Sequence, residues 1–99
     1  MILVIGTVRI PEGSFEDARP AMERQLAATR AESGCIRYAY SRDVLDPHLI
    51  HVSEAWTDEA ALAAHFRAPH MAEWRAAVAR IGMTERNLRK YATDEGEPV

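Results

Sequence analysis

Residues 2–10 (Ile-Leu-Val-Ile-Gly-Thr-Val-Arg-Ile) are apolar at both odd and even positions, and Pro11-Glu12-Gly13 then turns the chain. Successive side chains of a strand point to opposite faces, so this run needs cover on both sides. The chain has 99 residues, the size of one domain, and such a domain buries roughly 60–70% of its unfolded surface. Yet 47% of its residues are hydrophobic, more apolar surface than so small a fold can hide. A symmetric homodimer is the simplest way to cover the rest.

The pattern beyond the first strand supplies the other elements. Ser14, with Asp17 three residues on, approximates a capping box, and Phe15, Ala18, Met22, Leu26 and Thr29 recur at helical spacing. Pro20 predicts a kink or a late true start in that helix. Ser33-Gly34 closes it. Cys35 to Arg42 predicts a strand with Ile36, Tyr38 and Tyr40 on one face, and Asp43 to Pro47 a hairpin connection. His48 to Trp56 predicts a third strand, with Ile50, Val52, Glu54 and Trp56 sharing a face. Thr57 or Asp58 caps a short helix that Pro69 interrupts. Met71, Trp74, Val78 and Ile81 form the stripe of a further helical segment, which Gly82 stops. Thr84 to Tyr91 predicts a polar edge strand.

The order is β-α-β-β-α-β, the split βαβ arrangement, which gives an antiparallel sheet with helices on one face only. Residues 2–91 form the domain, and residues 92–99 an acidic tail. The apolar start has no basic segment before it, so it predicts a strand rather than a signal peptide or membrane span. A net charge of −3 without any Lys/Arg cluster argues against nucleic acid as a partner. The lone Cys35 forbids an internal disulfide and suits the reducing cytoplasm.

Two side chains could move protons. Glu54 stands among Ile50, Val52 and Trp56, where desolvation would raise its pKa toward general-base range; alternatively it pairs with Arg37 or Arg9. His65 falls beside Phe66 near the buried stripe of its helix, a natural proton acceptor at neutral pH or a structural histidine satisfied by a carbonyl. His70 predicts the cap of a helix turn, and His48 and His51 solvated or subunit-contact positions. No His or Cys pair has ligand spacing on one element, so no metal site is expected. Tyr38, Tyr40, Trp56 and Trp74, with Val52 and Phe66, could line an aromatic-binding pocket, although core packing would use the same side chains. Nothing supports acyl transfer, nucleotide binding or Schiff-base chemistry.

The ordered set Glu32-Ser33-Gly34-Cys35, Tyr38, Glu54-Ala55-Trp56, Leu62, His65 and Pro69-His70-Met71 resembles the antibiotic biosynthesis monooxygenase domain family. Asn87-Leu88-Arg89 is similar to the quinol monooxygenases within it. The resemblance implies a ferredoxin-like α+β fold dimerising into a shared α/β-barrel, with a pocket between sheet and helices. For several members it also implies oxygenation of quinol-like or polycyclic aromatic substrates without metal or flavin. Trp56 matches a pocket tryptophan of the polyketide-oxidising relatives, whereas their following tyrosine is Leu62 here. The haem-degrading pattern is broken: the first strand lacks an Asn, His65 stands where a Trp is needed, and Arg75 near the expected His. Other relatives isomerise phosphorylated sugars.

The expectation is therefore a cofactor-independent monooxygenase acting with O₂ on a small quinol, phenolic or polycyclic aromatic substrate. In it His65 is the base, Glu54 orients or replaces it, and the aromatic side chains hold the ring. The alternatives are a non-catalytic dimeric module binding a small ligand and an isomerase of the same fold.

Overall fold

The computed structural model describes residues 1–99. Its elements are β1 (Ile2–Arg9), α1 (Phe15–Arg30), β2 (Cys35–Arg42), β3 (Leu49–Trp56), α2 (Glu59–Phe66), α3 (Pro69–Ile81) and β4 (Thr84–Ala92). All strand pairs are antiparallel in the order β2-β3-β1-β4, so β1 and β3 are central and the polar β4 is an edge. The expected ferredoxin-like α+β fold is present, with the second helical stretch divided in two. The division lies at Pro69, which opens α3 at its first position, where its missing N–H costs nothing. Asp58 caps α2, accepting the Ala61 N–H at 2.8 Å, and Gly82 ends α3 with a φ of 85°.

All three helices pack on one face of the sheet. Alternation along β3 sends Ile50, Val52, Glu54 and Trp56 into this layer, where all four are buried. Ile2, Val4, Tyr38, Trp56 and Leu62 make one core cluster, and Ile10, Ala18, Met22 and Ile50 the other. On the opposite face Ile5 and Tyr91 are half exposed.

Three local expectations are corrected. The helix at Ser14 starts without a side-chain cap, because Ser14 itself adopts a helical backbone conformation. Pro20 does not delay the start: α1 runs from Phe15, and the Ala18 N–H already reaches the Ser14 carbonyl at 2.9 Å. Pro20 and Glu16 both face solvent, where water can serve the Glu16 carbonyl that proline leaves without its donor. Ile36 does not share the face of Tyr38 and Tyr40. A bulge between Cys35 and Arg37 sets an extra residue against β3 and pushes Ile36 outward.

Candidate active site

The inner face of the sheet and helices α2 and α3 enclose a largely apolar cavity of about 290 Å³, at the lower end of the range for small-molecule sites. Tyr38 and Tyr40 reach it from β2, Val52 and Glu54 from β3, His65 and Phe66 from α2, and Trp74 from α3. Seven of the eight residues expected at the site therefore meet on one cavity. Trp56 does not line it, which corrects the expectation that its indole holds the substrate ring. Its side chain is 0% exposed and sits behind the wall, its ring centroid 4.7 Å from that of His65. It turns inward because its Nε1–H donates to Glu54 Oε1 at 3.0 Å.

That bond also settles the partner of Glu54. Arg9 is engaged elsewhere, at 2.9 Å from both Asp46 and Glu85, and Arg37 makes no ion pair. Burial pushes the Glu54 carboxyl above the usual range, while the Trp56 N–H and the charges of His65 and Arg86 oppose the rise. Arg86, on β4, lines the cavity and has no carboxylate partner.

His65 is 2% exposed, and its Nδ1 lies 2.7 Å from Glu32 Oε2. Glu32, not Glu54, is thus its partner, a second correction. The geometry comes from Gly34. With its φ of +86°, the chain turns tightly after α1, and a Cβ there would fall 2.6 Å from the Ala61 Cβ and 2.8 Å from Thr57 Oγ1. The missing side chain lets the end of α1 settle against the start of α2 and brings Glu32 to His65. A carboxylate can only accept, so Nδ1 carries a proton, while Nε2 has no protein partner and offers a lone pair whenever the ring is in its neutral form. Tyr38 and Tyr40 share a 2.7 Å hydroxyl contact, and Tyr40 stacks on Trp74 at 5.7 Å. Burial raises both phenols, so they remain neutral hydrogen-bonding groups.

His70 is no helix cap. Its Nδ1 meets Gln25 Oε1 at 2.9 Å and its Nε2 meets Glu32 Oε2 at 3.1 Å. Glu32, His65 and His70 therefore converge from three segments, with their donor atoms all within 4.8 Å of one another. They are the residues that could hold a metal ion, a possibility that ligand spacing along one element does not reveal. Both imidazoles meet Glu32 Oε2 at hydrogen-bond length. Glu32, His70, Gln25 and Arg86 were not foreseen as site residues. Glu32 and His70 do lie within the strings carrying the family resemblance, the one signal that could have flagged them.

A sheet with helices on one face, enclosing an apolar cavity beside a buried imidazole held by a half-buried carboxylate, defines an α+β domain with a cavity of small-molecule dimensions. The antibiotic biosynthesis monooxygenase family model matches residues 1–77, and the chain belongs to that family. A Deinococcus radiodurans structure placed by its name among these monooxygenases superposes with a TM-score of 0.90 at 23% identity, covering 100% of this chain and 98% of that one. A Bacteroides thetaiotaomicron protein of unknown function, described as a possible oxidoreductase, superposes with a TM-score of 0.80 at 27% identity, covering 91% and 94%. An uncharacterised Synechocystis protein is 27% identical over 73 residues, which are 74% of this chain. The chain spans about 50% of the length of that curated relative. No helix is long and apolar enough to cross a membrane.

Proposed function

We propose that the protein is a monooxygenase that oxidises a small quinol, phenolic or polycyclic aromatic substrate with O₂ as a homodimer, the substrate itself supplying the electrons. The carrying observation is His65. Its ring is fixed by a carboxylate behind it and lines an apolar, aromatic-walled cavity, the placement of a general base. Family membership supports the reaction class.

In the cavity the substrate hydroxyl gives its proton to His65 Nε2. The resulting electron-rich anion passes one electron to O₂, and the superoxide and aryloxyl radical recombine at a ring carbon before either escapes. The peroxide anion takes the proton back from the imidazolium. Loss of water from the hydroperoxide then leaves a carbonyl, with one oxygen atom in the product and the other in water. Apolar walls favour this sequence because they keep the radical pair together and exclude competing proton donors. Phe66 and Trp74 supply such walls, and Tyr40 a neutral donor to a substrate oxygen.

The test is oxygen uptake on adding naphthols and naphthoquinols to chelator-treated protein. Uptake with stoichiometric incorporation of one ¹⁸O atom is expected. Tight ligand binding without any uptake across that series would favour a non-catalytic binding module instead.

A further inference from the structure

A continuous hydrogen-bonded path runs behind the cavity wall from His65 to Tyr40. It passes from His65 Nδ1 to Glu32 Oε2 and on to His70 Nε2, at 2.7 and 3.1 Å. His70 Nδ1 then meets Gln25 Oε1 at 2.9 Å, Gln25 Nε2 meets the Tyr38 hydroxyl at 3.2 Å, and the Tyr38 and Tyr40 hydroxyls are 2.7 Å apart. Glu32, His70 and Gln25 do not line the cavity.

Donor accounting gives the path a direction. Because the Glu32 carboxylate only accepts, both imidazole nitrogens facing it carry protons. The Gln25 amide is oriented by Met71, whose Sδ lies 3.2 Å from Nε2. A thioether has no proton to give, so the amide NH₂ faces Met71 and Tyr38 while the carbonyl faces His70. With the Gln25 carbonyl and the Glu32 carboxylate both accepting, His70 completes the path in its imidazolium form, the only form with an N–H on each nitrogen. The Tyr38 oxygen accepts from Gln25, and Tyr38 is buried with no acceptor for its own proton except Tyr40. The Tyr40 proton is left for the cavity.

We propose that Glu32 and His70 are positioning residues that set opposite proton polarity on two walls of the cavity, with His65 Nε2 facing in as an acceptor and the Tyr40 hydroxyl as a donor. Any consequence for turnover rests on the reading of His65 as the base; the polarity itself does not. It also narrows the substrate class to ring systems carrying an ionisable hydroxyl and, elsewhere, a second oxygen that accepts a hydrogen bond.

Two measurements test this without turnover. The first is ¹⁵N NMR of the imidazoles in the wild-type protein, which should show His65 as the Nδ1–H tautomer. In Glu32→Gln, whose amide can offer a proton to Nδ1, that tautomer should no longer dominate. An Nε2–H tautomer in the wild type, or a Glu32→Gln spectrum unchanged at His65, overturns the proposal. The second is titration with 1,4-naphthoquinone, which only accepts hydrogen bonds, and with naphthalene, both followed by tryptophan fluorescence. Tyr40→Phe should weaken quinone binding about 2- to 10-fold, the scale of one net hydrogen bond, and leave naphthalene unchanged. His70→Leu, which cuts the path behind the wall, should repeat that selective loss. Equal weakening of both ligands by His70→Leu, or no loss of quinone binding in either variant, overturns the polarity argument. Intact polarity with no oxygen uptake from any quinol would sink the oxygenase reading alone.

Discussion

At the scale of single residues, two acids near one histidine do different work because their surroundings differ. Glu32 is partly open and accepts two imidazole N–H groups, whereas Glu54 is buried with a single indole N–H. If His65 is the base, His65→Ala should lower oxygen uptake by roughly 10²-fold or more. Its melting temperature should fall as well, because the change removes the Glu32 contact and empties buried volume beside Trp56, so uptake is compared per folded molecule. Normal turnover by a folded His65→Ala would remove it from the mechanism. Glu54 has a separate signature in stability. Burial raises its carboxyl above the value in the unfolded chain, so the folded state keeps a proton that the unfolded state has lost. Its contribution to stability is thus full below the ordinary carboxylate pKa, about 4.3, and is lost as pH rises through the folded value. Glu54→Gln abolishes this dependence while sparing an acceptor for Trp56. Thermal melts from about pH 4 to pH 7 should therefore show the variant gaining on wild type as pH rises. A constant difference would contradict the raised value, since the other carboxylates are common to both proteins.

At the scale of elements, β3 joins core and site, and Trp56 is where the two meet. A fully buried Trp→Ala change costs about 3–5 kcal/mol, and here it also strips Glu54 of its donor. Trp56→Ala should lose that much in chemical denaturation, a large share of a small domain's stability. A loss below about 1 kcal/mol would mean that the indole borders open space after all. The position of Trp56 on the inner face was legible from alternation along Ile50, Val52, Glu54 and Trp56, just as the α2 start was legible to within Thr57 or Asp58 and the α3 stop at Gly82. Alternation could not say that the indole turns back onto Glu54 rather than into the cavity, because it specifies a face and not a rotamer. The bulge that ejects Ile36 escaped for a related reason: an extra residue in one strand leaves no local mark in composition. The convergence of Gln25, His65 and His70 from three helices, with Glu32 from the turn after the first, was invisible to spacing along any one of them. It depends on the tight turn at Gly34, whose role needs the partner surface of α2 to be known.

At the scale of the whole molecule, the sheet is two-sided and the helices are not. Leu3, Ile5 and Tyr91 lie on the face without helices, Ile5 at 50% exposure and Tyr91 at 51%. The apolar first strand is therefore satisfied on one side only within a single chain, which is the asymmetry that face-to-face pairing of two sheets would remove. Light scattering at micromolar concentration should give twice the 11.1 kDa of one chain. Ile5→Lys places a cation in the middle of this face, directly across from Arg89 on β4, so repulsion joins the cost of burying the charge. The variant should run as a monomer and melt at a lower temperature than wild type. The wild-type melting temperature should rise with protein concentration, because association stabilises the folded chain by mass action. A wild-type monomer with a concentration-independent melt would mean that the apolar outer face serves some purpose other than self-association.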